Sequence, residues 1–275
     1  SDICDKYAAR DPRIRVFHQA NSGAALSRNI GLEHATGDYL SFVDSDDYLA
    51  DDFYKELYNL MISTGSDLVQ CGYYEVDEQG NKLQNEQPKV FDLELTGYDC
   101  LMNLYQNDFR PSNILFWNKL YKRQLWHNIS LPKKTLHDDA YALPYIYDQA
   151  TNVTLTSQRL YFYTVRKGSI TTTTDPEYIL RKHIDLNAIY NQLYGYFKKK
   201  GYPELASSII MEKCHEIRQV YKRTRRLSVN KQKKIQYFKQ IHGDLETYLK
   251  IYLSNKDIKL RKKIRFLLYY YGIYW

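Results

Sequence analysis

The chain has 275 residues and 44% hydrophobic side chains, enough to bury one large core, or one core with an appended region. It contains no run of about 18 apolar residues, so its sequence predicts no transmembrane helix. The first residues show no signal-peptide pattern, and the four cysteines are dispersed. These features favour a cytosolic protein with reduced thiols.

Charge is divided unevenly along the chain. Residues 1–175 contain 17 Lys+Arg and 24 Asp+Glu, whereas residues 176–275 contain 22 and 8. This division predicts two functional regions with opposite net charge. The 28 tyrosines combine an apolar face with a polar tip, which suits carbohydrate clefts and membrane interfaces equally well.

The first part of the chain alternates predicted helices and strands. A helix over Asp2–Ala9 is followed by a short strand at Ile14–Phe17. A second helix carries apolar residues from Leu26 to Ala35, with Gly37 near its end, and precedes a buried strand at Tyr39–Val43. We predict a third helix from Asp51 to Gly65, a strand over Leu68–Tyr74 and a hairpin near Gly80.

This alternation predicts an α/β fold with a mainly parallel sheet and helices on both faces. From about Asp175 the pattern becomes helical, so we expect a domain over residues 1–175 and a basic helical region over 176–275. The sequence opens within a predicted helix rather than a strand, which predicts that the front of the α/β domain is truncated.

A group of carboxylates follows the apolar strand at Asp44-Ser45-Asp46-Asp47. Open α/β folds bind ligands at the carboxyl ends of their strands. Clustered carboxylates suit Mg²⁺ or Mn²⁺, which could neutralise a departing diphosphate. The alternative is an N-terminal cap for the helix that begins near Phe53.

Three ordered blocks resemble family 2 glycosyltransferases of the GT-A fold. They are Asn21–Leu32, Ala35–Tyr39 and Phe42–Asp47. Three later segments also resemble the family: Trp117–Tyr121, beneath the acceptor site; His137–Asp139, at its acidic pair; and Arg166–Ile170, in the loop that closes over the donor. The resemblance covers about residues 1–175, and it is specific because the first blocks are long and ordered. It implies an enzyme of the bacterial capsule or exopolysaccharide type.

The resemblance implies an inverting, metal-dependent hexosyltransferase that uses a nucleotide-sugar, by default a UDP-hexose or UDP-N-acetylhexosamine. Asp139 would be the catalytic base, and Asp138 stands where the family usually has Glu. Asp46 and Asp44 would hold Mn²⁺ or Mg²⁺. The remaining implied residues are Arg28, Asn21, Gly23, Asp44, Arg166 and Ser169 toward the donor, and Trp117, Asn118 and Lys119 toward a saccharide or lipid-linked saccharide acceptor.

The chemistry is consistent with these residue types. Inverting transfer needs a carboxylate to take the proton of the acceptor hydroxyl. A pair such as Asp138 and Asp139 raises the pKa of one member by charge repulsion. Each assignment also has a structural alternative: Asp138 and Asp139 as a helix cap, His137 as a surface histidine, Trp117 as core and Arg28 as helix surface.

Two other functions compete with this interpretation. A haloacid-dehalogenase-like phosphatase also places Asp-x-Asp after an apolar strand, but it leaves the Asn21–Leu32 block unexplained. A catalytically incompetent membrane- or polysaccharide-binding module would not need Asp44, Asp46 and Asp139.

The C-terminal region is strongly basic. Between Lys259 and Trp275, apolar residues recur at helical spacing beside basic residues; they are Leu260, Ile264, Leu267, Leu268 and Tyr271. Such a helix suits an anionic membrane surface, and its alternative is a helix packed on its own domain. We expect a peripheral protein on the inner face of the plasma membrane, and no nucleic-acid partner because no recognised motif accompanies the charge.

Overall fold

The structure, a computed structural model, describes residues 2–83, 91–106, 112–166 and 175–226, together with parts of 230–267. Within these ranges the α-helices are α1 (Asp2–Ala8), α2 (Ala24–His34), α3 (Phe53–Thr64), α4 (Gly97–Gln106), α5 (Asp138–Gln149), α6 (Pro176–Lys199), α7 (Pro203–Arg226) and α8 (Leu245–Ser254). No helix in these ranges is both long enough and apolar enough to cross a bilayer.

The described strands form one sheet. They are β1 (Tyr39–Leu40), β2 (Tyr48–Leu49), β3 (Leu68–Val76), β4 (Asp92–Leu95), β5 (Lys119–Lys122) and β6 (Val153–Thr164). Their order is β1-β5-β3-β6-β2, and β4 pairs with the first half of β6. The long strands β3 and β6 form the centre, so residues at their carboxyl ends lie close to β2 and to the carboxylates before it.

The α/β class is confirmed, but the sheet is mixed rather than mainly parallel. Among the described pairs only β3 and β6 run parallel, and β1–β5, β3–β5, β2–β6 and β4–β6 are antiparallel. The strand–helix alternation misled here because it does not determine which strands become neighbours. Short strands outside the alternation, β2, β4 and β5, supply the antiparallel pairs.

Two predicted strands are corrected. Residues Ile14–Phe17 form no strand, and both end residues are exposed, because no described strand lies beside them to complete the hydrogen bonds. The strand expected over Tyr39–Val43 is limited to Tyr39–Leu40, and Val43 is 43% exposed rather than buried.

Other local predictions are confirmed. Helix α3 ends at Gly65, whose φ of 67° places it in the left-handed region that glycine tolerates. Its start differs by one residue, since Asp52 rather than Asp51 occupies the N-cap and makes no side-chain capping bond. A turn at Gly80 closes the expected hairpin through a bridge between Val76 and Lys82.

One hydrophobic core joins the sheet to the later helices. Residues of α5, such as Leu143 and Ile146, share this core with Leu193 and Phe197 of α6 and Ile209 of α7. The boundary expected near residue 175 coincides with Asp175, which caps α6 by accepting from the backbone of Glu177 and Tyr178. The two-region division stays a prediction, and α6 packs directly on the first region.

Candidate functional site

A side-chain network fixes the acidic loop after β1. The backbone N–H of Asp44 donates to the Tyr161 hydroxyl at 3.2 Å, and that hydroxyl donates to Asp47 at 2.8 Å. The backbone of Thr164 donates to the other Asp47 oxygen at 2.8 Å. Burial raises the pKa of Asp47. Asp47 therefore anchors the loop to β6 and holds Asp44 and Asp46 beside the carboxyl end of that strand.

Arg28 connects this loop to the second acidic group. Its Nη2 donates to Asp44 at 2.8 Å and its Nη1 donates to Asp138 at 2.6 Å. The Arg28 side chain is only 19% exposed, so these charge-assisted bonds lie in a partly desolvated setting. The helix-surface alternative for Arg28 is excluded, because the side chain points into the protein between the two carboxylates.

The acidic pair lies in the first turn of α5. His137 is the N-cap residue, and its side chain makes no capping bond. The helix dipole stabilises a carboxylate in this turn. Asp138 and Asp139 can therefore both begin the helix and serve as the acidic pair, so the two interpretations are compatible. Burial, then repulsion from Asp138, raises the pKa of Asp139 to about 6, against the opposing charges of Arg28 and Lys119. The expected raised pKa in the pair thus belongs to Asp139.

The donor-side residues are only partly brought together. Arg166 forms an ion pair with Asp46. Asn21 accepts from the backbone of Gly23 at 3.4 Å, and both residues are exposed just before α2. Gly23, with φ of 87°, is the N-cap of α2, a conformation that L side chains rarely adopt. Ser169 lies outside the described residues.

A cavity of about 450 Å³ lies between α2 and the segment that follows β1. Arg28, Asp44 and Ser45 supply polar groups, and apolar side chains such as Leu32 and Leu40 supply much of the rest of its lining. The cavity therefore adjoins the Asp44–Arg28 pair.

The segment assigned to the acceptor side is buried. Trp117 is 6% exposed and stacks on Tyr161 with ring centroids 4.3 Å apart. Asn118 donates to the Cys71 carbonyl at 2.6 Å. Lys119 is fully buried and donates to Asn113, Leu115 and Asn118. Trp117 is therefore part of the core. That this segment lies beneath the acceptor site and supports it stays a prediction.

The donor set for a divalent cation consists of carboxylates. Within the described ranges, no group of three or more His, Cys, Asp or Glu side chains is arranged to hold a metal ion. Magnesium sites commonly use one or two carboxylates and complete their coordination with water and substrate phosphates. Asp44 and Asp46 provide such oxygens, and Arg28 and Arg166 now neutralise them. Carboxylate oxygens are the type of ligand that such a cation takes, and metal binding at Asp44 and Asp46 stays a prediction.

Three residues of the site were missed or misjudged from the sequence. Tyr161 gave no signal, because its partner Asp47 is 114 positions away. Asn29 lies beside Arg28 and binds the backbone of Leu131 in both directions at 2.9 Å. His137 is not a surface histidine, since it is partly buried and its Nε2 contacts the Lys182 carbonyl at 3.1 Å.

Comparison with known proteins finds glycosyltransferases that are similar to part of the chain. The sequence profile of Glycosyl transferase family 2 matches residues 1–131. Glycosyltransferase GlyG of Streptococcus pneumoniae serotype 4 is 32% identical over 174 residues, which cover 62% of this chain and 58% of GlyG. Glycosyltransferase GlyA of the same organism is 30% identical over 177 residues, 62% of this chain and 25% of GlyA. The chain thus spans about a quarter to three fifths of these relatives.

The fold is also found in a solved structure. Staphylococcus aureus TarS 1-349 in complex with UDP has a TM-score of 0.53 at 18% identity, covering 88% of this chain and 65% of that chain. A second structure of TarS gives a TM-score of 0.54 at 18% identity, covering 91% of this chain and 40% of that chain. This likeness concerns the fold alone. Residues 1–131 thus resemble family 2 glycosyltransferases, and the chain has the GT-A fold.

Proposed function

We propose that the protein transfers a hexose or N-acetylhexosamine from a UDP-sugar to a saccharide acceptor, with inversion, in bacterial surface polysaccharide synthesis. The observation that carries the proposal is the Arg28 bridge, which joins Asp44 after β1 to Asp138 at the start of α5. It brings the residues assigned to donor and to proton transfer to one end of the sheet. The UDP bound by the structural relative TarS supports the choice of nucleotide.

In the proposed reaction, the acceptor hydroxyl oxygen attacks the anomeric carbon while the bond to the diphosphate oxygen breaks. Asp139 accepts the hydroxyl proton, and its pKa of about 6 leaves it ionised at neutral pH yet basic enough to take that proton. Asp138 and Arg28 hold the first turn of α5 in place. A divalent cation on Asp46 and Asp44 would neutralise the departing diphosphate.

The proposal is tested by calorimetry of the chain with UDP and a panel of UDP-sugars, each with Mn²⁺, with Mg²⁺ and with a chelator. Release of UDP from the bound sugar is then measured with and without saccharide acceptors. We expect metal-dependent binding and slow UDP release that acceptors accelerate. Absence of binding across the panel, or hydrolysis of a generic phosphoester instead, would overturn the proposal.

We also propose that the C-terminal region holds the protein on an anionic membrane surface, where a lipid-linked acceptor would be reached. Among the described tail residues, Leu260 is 71% exposed and Ile264 is 49% exposed, and they are four positions apart in the sequence. Arg261 and Lys263 lie between them in sequence. Leu267 is partly buried, and Leu268 and Tyr271 lie outside the described residues. Exposed apolar residues among cations match an interfacial helix.

A further inference from the structure

The loop before α5 is fixed from two sides. On one side, Asn29 of α2 exchanges two hydrogen bonds with the backbone of Leu131. On the other side, α6 contacts the loop at three places. Arg181 donates to the Lys134 carbonyl at 3.1 Å, and the Leu136 N–H donates to Asp185 at 3.2 Å. The third is the His137 contact with the Lys182 carbonyl, in which Nε2 must be the donor.

The loop does not adopt this shape without support. Lys134 has φ of 71°, and it is the only non-glycine residue with positive φ in the described part of the chain. Such a conformation is unfavourable for a residue with a β-carbon and persists where its surroundings enforce it. The contacts from α6 lie on Lys134 itself and on the two residues directly before Asp138.

We infer that Asp185 of α6 is a positioning residue for the acidic pair Asp138–Asp139. This inference rests on the proposed function of that pair. Asp185 receives the N–H of Leu136, two residues before Asp138, so it sets where the first turn of α5 begins. Asp185 lies in α6, beyond the residues 1–131 that match the family profile. Through its contact with Leu136, the helical region therefore contributes to the geometry of the site.

The test compares Asp185→Ala with Asp185→Asn, whose amide oxygen can still accept from Leu136. Ile184→Ala is the control, because Ile184 is 45% exposed on the same helix turn and makes none of these contacts. In Asp185→Ala we expect kcat for transfer to fall by about 10- to 100-fold, because a small displacement of a catalytic group lowers the rate by this order. The donor KM should stay within about twofold of the wild-type value. Asp185→Asn should restore most of the rate.

Hydrogen exchange of residues 131–141 supplies a readout that needs no substrate. The exchange rate of these residues should rise in Asp185→Ala but not in Asp185→Asn or Ile184→Ala. The amides of β3 should exchange as slowly as in the wild type. Wild-type exchange and kcat in Asp185→Ala would overturn the inference, and so would an Asp185→Asn variant as slow as Asp185→Ala. A general rise across β3 would show simple destabilisation and would also overturn it. If the wild-type chain transfers no sugar, the proposed function fails, and exchange still decides whether α6 holds the loop.

Discussion

Arg28 donates to Asp138 at 2.6 Å across 110 residues of sequence and joins α2 to the start of α5. The same guanidinium holds Asp44, so one cation balances the two acidic groups of the site. Removing it would leave two partly buried carboxylates without their counter-charge, which is more costly than losing a surface ion pair.

Replacing Arg28 with methionine should lower the transfer rate by about 10²-fold or more. It should also move the acid limb of the pH–rate profile to higher pH, because the Arg28 charge lowers the pKa of Asp139. Arg13→Met is a control for loss of charge, since Arg13 pairs with Asp11 on the surface. If the acid limb stays at its wild-type pH in Arg28→Met, the Arg28 charge does not affect the pKa of the catalytic base.

Asp46→Ala should abolish metal-dependent donor binding and leave the fold intact. Asp46 is a loop residue whose observed partner is the Arg166 side chain, so its removal leaves the core untouched. Calorimetry with UDP and Mn²⁺ measures the effect, and Asp51→Ala, an exposed carboxylate of the same stretch, is the control. If Asp46→Ala still binds UDP in a Mn²⁺-dependent way, the metal assignment is wrong.

Asp139→Asn should preserve donor binding and lower the transfer rate by about 10²-fold or more, since the proton acceptor is lost. An unchanged rate would move the base to another residue, with Asp138 as first candidate. Wild-type transfer should itself decline as the pH falls through about 6, where Asp139 becomes protonated.

The same substitution should alter stability with pH. The folded-state pKa of Asp139 is raised above its ordinary value, so the native state binds the proton more tightly than the unfolded chain. The contribution of Asp139 to the free energy of unfolding therefore decreases as the pH rises toward 6, and it stays low at higher pH. Asp139→Asn should be more stable than wild type at pH 8, by about 3 kcal/mol, with the difference vanishing near pH 3. Urea unfolding at both pH values measures this.

Local chemistry made part of the structure predictable from the sequence. Gly65 ended α3 as expected, and the apolar run at Leu68 formed the central strand β3. The residues of a strand do not determine which strand pairs with it, so the antiparallel β1–β5 pair was missed. The acidic residues were found because they follow a recognisable pattern. Asp185 and Tyr161 were not, because each acts on residues 49 or more positions away.

Gly97 at the start of α4 allows that helix to approach α5 closely. A β-carbon there would lie 1.8 Å from the Tyr147 carbonyl oxygen and 2.5 Å from that of Ala150. Because both obstacles are backbone atoms, Gly97→Ala should destabilise the protein by about 1–3 kcal/mol or more. Gly195→Ala in α6 is the matched control, since no atom of the described residues lies within 4 Å of the added β-carbon and alanine favours the helix. Equal Tm values for the two variants would contradict the close approach.

The last prediction concerns the exposed tail residues. Wild-type protein should float with vesicles that contain anionic lipid at low salt, and added salt should weaken this, because each Lys or Arg near the surface contributes about 1 kcal/mol of attraction. Changing Leu260 and Ile264 together to glutamine removes the exposed apolar pair without altering charge, so flotation should decrease at every salt concentration. Ile62→Gln is the control, because Ile62 is 56% exposed on α3 in the acidic first region. Neutral vesicles should recruit neither form. A wild-type protein that stays in solution with anionic vesicles at low salt would show that the tail serves only to pack on its own domain.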